Sequence, residues 1–183
     1  MTNGRMKERT AYHEAGHTCW WFLKIGGQID AVSIVADKGS QGRVWLTADH
    51  APRENYGPDI QPGQESQIMA VLQTEFTLSG LASEAVLIGK RGMWNSREFG
   101  WARQWIEAAW TPLQVGSVFH DTWLRTIDYL ADPIRWAGVE QLARLLLEEE
   151  EVSHDRAFAV VTDAVAVKTR ELAAAQGCVR KGR

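Results

Sequence analysis

The sequence predicts a mostly α-helical, α+β fold, with a small β-hairpin or sheet beside the first helix. Two observations point there. Apolar residues recur at helical spacing through most of the chain beyond residue 64, whereas only two short segments, near residues 29–36 and 43–47, read as strands. Helix-stopping glycines and prolines then divide the remainder into lengths that suit helices. With 183 residues, 45% of them hydrophobic, the chain can bury one core, so a single domain is expected.

The first helix is expected from Lys7 to Lys24, stopped by the breaker pair Gly26-Gly27. Ile29 to Ala36 alternates as a strand does, and Arg43 to Thr47 reads as a second strand. The turn cluster Asp37-Lys-Gly-Ser-Gln-Gly42 between them makes the pair a hairpin. Residues 49–65 hold Pro52, Pro58 and Pro62 with Gly57 and Gly63, which predicts an exposed loop. A long helix follows from about Gln64 to Ile88 and ends at Gly89-Lys-Arg-Gly92. Another runs from Arg97 to Trp110 and is stopped by Pro112. Three more helices are expected over 114–131, 133–150 and 154–176. Asp132-Pro133 supplies the N-cap and first position of the middle one, and the Glu148–Glu151 run reads as its solvated end. Residues 7–110 and 114–176 thus form two parts of one domain.

A net charge of −3 leaves no basic footprint, so nucleic acid is not an expected partner. No apolar run approaches the ~20 residues that span a bilayer, and the polar N-terminal stretch lacks the apolar core of a signal peptide. Cys19 and Cys178 are too few and too far apart for a disulfide framework, which favours a reducing, cytoplasmic setting. No glycine-rich phosphate loop is present.

Residues 13–17 read His-Glu-Ala-Gly-His. In a helix, residues four apart lie on one face, so His13 and His17 can share one Zn²⁺ while Glu14 reaches the metal-bound water as general base. The bland alternative makes both histidines ordinary hydrogen-bonded residues of an amphipathic helix. Gly16 costs about 1 kcal/mol relative to alanine inside a helix, which implies that something must approach the backbone there.

The phrase Thr10-Ala-Tyr-His-Glu-Ala-Gly-His-Thr resembles the motif helix of the peptidase domain of FtsH-type AAA+ zinc proteases. Asp30-Ala-Val-Ser-Ile-Val, Gly39-Ser-Gln-Gly-Arg-Val-Trp-Leu and Ser79-Gly-Leu-Ala-Ser-Glu-Ala-Val-Leu-Ile-Gly89 resemble further segments of that domain in the same order. The resemblance covers residues 7–110 and is looser beyond, through Val139-Glu-Gln-Leu-Ala-Arg-Leu-Leu-Leu. It implies a helical, zincin-like peptidase domain. The family's third ligand is an aspartate; in the corresponding stretch, Ser96-Arg-Glu-Phe-Gly-Trp-Ala102, Glu98 stands in that place. His120, Asp121 and Glu84 are fallback ligands, and Glu98 can also be read as a solvated carboxylate in a helix's first turn. Glu84 stands where the family carries an acid and is a candidate partner for a ligand histidine's other nitrogen.

The resemblance includes neither the family's membrane anchor nor its ATPase module. It therefore implies an ATP-independent peptidase acting on peptides or unfolded segments, with Arg43, Val44 and Trp45 on an edge strand to which an extended peptide could add. A degenerate metal- or peptide-binding relative, a homo-oligomer, and a subunit working with a separate ATPase all stay open. Trp20, Trp21, Trp45, Trp94 and Trp101 lie near the motif residues in sequence or in expected fold. Most should be core, with a minority available to line a substrate cleft.

Overall fold

A computed structural model describes residues 3–36, 42–47, 64–92 and 96–181, excepting the side chains at 3, 64–66 and 177–181. Six α-helices and a three-stranded antiparallel sheet make up these residues, in agreement with the expected mostly α fold. Helix α1 (Asn3–Trp20) starts four residues before the expected Lys7 and passes into one π-helical turn, Trp21–Ile25. It stops where expected. Gly26 takes the left-handed conformation (φ 70°) and its N–H donates to the Phe22 carbonyl at 3.2 Å. The Trp21 indole then folds back over Gly27, where a Cβ would meet its Nε1 at 2.1 Å, and donates to the Gln28 carbonyl at 3.1 Å.

Strand β1 (Ile29–Ser33) pairs with β2 (Arg43–Leu46) in the expected hairpin, with Ser33 opposite Arg43 and Ile29 opposite Leu46. It ends at Ser33 instead of running to Ala36. There the Ser33 Oγ accepts from the Val35 N–H at 3.0 Å, and the Ile34 N–H turns to the Glu150 carbonyl at 2.8 Å. The sheet also holds an unexpected strand, whose first residue, Glu151, the sequence reading assigned to a solvated helix end. Glu150 turns the chain with φ 62°, and β3 (Glu151–Ser153) pairs along the other side of β1, burying Val152 against Val32. The strand order is β2-β1-β3, so β2 lies at the sheet edge among the described residues. The turn residues 37–41, loop residues 49–63 and Trp94 lie outside the described residues.

The remaining helices are α2 (Gln64–Leu87), α3 (Arg97–Ala109), α4 (Pro112–Ala131), α5 (Pro133–Glu149) and α6 (His154–Lys181). Pro112 both follows α3 and opens α4, where Thr111 and Gln114 form a capping box. Asp132 caps α5 by accepting from the Ile134 and Arg135 N–H groups at 3.1 and 3.2 Å. Helix α1 packs on α2 and on α5, and α2 also carries α3 and α4. Tyr12 stacks on Trp136 across the α1–α5 contact, with ring centroids 5.6 Å apart.

The close approach that Gly16 implied is the α1–α2 contact. A Cβ at Gly16 would fall 2.6 Å from the Ser79 carbonyl oxygen and 2.6 Å from the Ser83 Cβ. With no side chain there, Ser83 Oγ reaches the Tyr12 carbonyl at 2.7 Å. Among the described residues, no helix is long and apolar enough to cross a membrane.

Candidate metal centre

The motif face of α1 meets the glycine-bearing face of α2, and the first turn of α3 closes over both. Four-residue spacing brings the His13 and His17 rings together, with their Nε2 atoms 3.1 Å apart. Ser96 caps α3, its side chain accepting from the Phe99 N–H at 3.2 Å, and Glu98 lies in the helix's first turn, where a carboxylate is favoured. Glu98 Oε1 sits 3.0 Å from His13 Nε2. One ligand atom from each of these three residues lies within 4.8 Å of the other two, a group that can hold a metal ion.

Several details fit an ion at this point. Ligand atoms of a tetrahedral ion at about 2.0–2.1 Å lie about 3.3 Å from each other, close to the 3.1 and 3.0 Å that His13 Nε2 keeps from His17 Nε2 and Glu98 Oε1. Both Nδ1 atoms are turned away and occupied: His13 Nδ1 lies 2.7 Å from Glu84 Oε1, and His17 Nδ1–H is directed at the Phe76 carbonyl at 2.9 Å, with Ser79 Oγ at 3.0 Å. This orientation leaves Nε2 of each ring facing the common point, as metal-binding histidines require. Glu98 Oε2 is buried with no hydrogen-bond partner, which is costly unless something else satisfies it. Space is kept open by Gly80, where a Cβ would meet His13 Nε2 at 2.5 Å and His17 Nε2 at 2.6 Å.

Electrostatics separates the residues by role. Burial alone would lower the pKa of His13, but its hydrogen bonds to Glu84 and Glu98 outweigh that and raise it to about 10. Burial and the neighbouring His13 depress His17 to about 4. Burial would raise Glu98, yet the bond to His13 and the charge of both histidines hold it below the usual carboxylate value. Glu14, on the same helix, is pushed up to about 7. Burial is the main cause, His13 and Arg43 oppose it, and the charges of Glu98 and Glu84 add to it.

No family model matches the chain, and no curated protein matches it. The site therefore stands on its own geometry. Of the candidate ligands, the structure brings together His13, His17 and Glu98. Glu84 is not a fourth ligand; it holds His13 from behind, in the role expected of it. His120 and Asp121 are exposed on α4, 3.8 Å from each other, and do not belong to the three-residue group. Glu14 lies against the start of β2, where a Cβ at Gly42 would strike its Cγ and Oε1 at 2.7 Å. Arg43 lies over the Trp45 ring at 5.9 Å on that strand, and Val44 is half-buried beside them.

Trp20 and Trp21 are core residues that pack on Phe76, and Trp101 is half-exposed on α3. The sequence reading missed Gly80, the Phe76 carbonyl and Arg9, whose guanidinium Nε–H donates to Glu84 Oε2. A glycine beside a serine within a predicted helix is the one signal that could have flagged the first. A backbone carbonyl leaves none.

Proposed function

We propose that the chain is a zinc-dependent peptidase that hydrolyses peptides or unfolded segments without ATP. His13, His17 and Glu98 would hold the metal. The observation that carries this reading is the convergence of two Nε2 atoms and the Glu98 carboxylate, whose second oxygen is buried without a hydrogen-bond partner, beside the buried Glu14. A set of two nitrogens and one oxygen suits Zn²⁺ and leaves a coordination position free, the arrangement of catalytic sites. When bound, zinc lowers the pKa of water to about 7 and polarises a carbonyl.

The chain's residues supply the rest. Glu14, the buried carboxylate one residue after His13, would take a proton from an attacking water and give it to a leaving amine; burial favours its protonated form and the charge of a bound ion would oppose that. A purely structural metal site has no need of such a base. Glu84 and the Phe76 carbonyl fix the two rings so that Nε2 faces the metal. Strand β2 begins against Glu14 and lies at the sheet edge, so a peptide added along it by main-chain hydrogen bonds would pass the site. Cys19, a buried free thiol, is compatible with the cytoplasmic setting that we propose with this reading.

The test is Glu14→Gln. The variant should keep one equivalent of zinc while cleavage of an unfolded casein substrate falls by about 10²–10⁴-fold, the usual contribution of a positioned proton-transfer group. Undiminished cleavage by a zinc-loaded variant would refute the mechanism. Zinc binding by the parent with no cleavage of any unfolded substrate would leave a metal-binding, non-catalytic domain.

A further inference from the structure

The two histidines are held from behind by different means. His17 is directed at a backbone carbonyl, which a helix fixes in place. His13 depends on the side chain of Glu84, which could rotate unless its second oxygen were also held. Arg9 holds it. One turn before His13 on α1, its Nε–H donates to Glu84 Oε2, while Glu84 Oε1 faces His13 Nδ1 at 2.7 Å. The Glu84 side chain is only 7% exposed, whereas that of Arg9 is 43% exposed.

We infer that Arg9 is a positioning residue for the metal centre, acting through Glu84 to fix the orientation of His13. The inference rests on the metal-binding part of the function proposed above. A buried carboxylate that loses one of its two partners is left with an unsatisfied oxygen and rotates to find another. The ring it orients then loses its fixed direction. Simple electrostatics predicts the opposite sign, because removing a cation near a dication site should tighten zinc binding. The direction of the change therefore separates positioning from a through-space charge effect. It also separates positioning from a structural role, since a loss of folding stability alone leaves the zinc affinity of the folded protein unchanged.

The experiment measures zinc affinity by chelator competition, and metal-free melting temperature, for the parent, Arg9→Gln, Arg9→Lys, Glu84→Gln and the Arg9→Gln/Glu84→Gln pair. Partners behind a metal ligand are worth about 10–100-fold in affinity, so Arg9, one step further out, should be worth roughly three- to tenfold. Arg9→Gln should weaken zinc by that factor, a change in affinity that a fall in metal-free melting does not by itself produce. Arg9→Lys should recover part of it, and Arg9→Gln should add nothing once Glu84 is glutamine. Equal or tighter zinc binding by Arg9→Gln overturns the inference while leaving the zinc site standing. So does an equal loss in the Glu84→Gln background. A parent that binds no zinc overturns both.

Discussion

A methyl group at position 80 would fall 2.5 Å from one ligand nitrogen and 2.6 Å from the other, so a side chain there and the metal would compete for one space. Gly80→Ala should therefore abolish zinc binding. The fold should survive, because what the new Cβ meets is the ends of two side chains that can swing aside. Alanine also favours the helix by about 1 kcal/mol over glycine. Expected are unchanged or higher thermal stability without metal and no zinc by mass spectrometry; a variant that still binds one zinc would show that the ion sits elsewhere. At this scale the sequence was legible where the chemistry is local. His13 and His17 are four residues apart, so their spacing alone places them on one face, with Glu14 a short way round the same helix. Glu98 is 81 residues beyond His17 and came into view only through a resemblance. Arg9 and Gly80 act through neighbours that only the folded chain supplies.

Elements meet where side chains are absent. Helices α1 and α2 approach so closely at Gly16 that a Cβ would press on the Ser79 backbone carbonyl, which cannot move without shifting α2. Gly16→Ala is thus unlike Gly80→Ala, although both replace a helical glycine beside the site. Overpacking costs about 1–3 kcal/mol, and the gain in helix propensity offsets only about 1 of these. A net loss of up to about 2 kcal/mol is expected as a lower urea midpoint in the metal-free protein. A midpoint at or above that of the parent would show that the helices can part without cost. Helix ends were legible because glycine, proline and aspartate mark them chemically, as at Gly26, Pro112 and Asp132. Strand β3 was not. Three residues, with acids before and within it, are too short a run for their alternation to stand out, and what makes Glu151–Ser153 a strand is pairing along the second side of β1.

Across the whole molecule, a bound ion would tie α1 to α3, which already meet at His13 and Glu98, and so act as a cross-link as well as a reagent. Zinc at 100 times its Kd should stabilise the fold by about 2.7 kcal/mol, or about 5–10 °C in melting temperature for a chain of this size. Chelation should remove that increment. Its pH dependence follows from His13. In the metal-free protein that group is raised from 6.5 to about 10, so its own stabilisation is complete below 6.5 and fades as pH rises through 10. His17 is depressed to about 4 and carries no proton at neutral pH. Zinc must therefore displace one proton from His13, and its affinity should rise about tenfold per pH unit between about pH 7.5 and 9, above the titration of Glu14 and below that of His13. At fixed free zinc, the melting gap between zinc-loaded and chelated protein should widen by about 3–5 °C for each unit over that range. A gap that stays constant would mean that no proton leaves on binding, and that the ion does not take the His13 nitrogen that now faces Glu98.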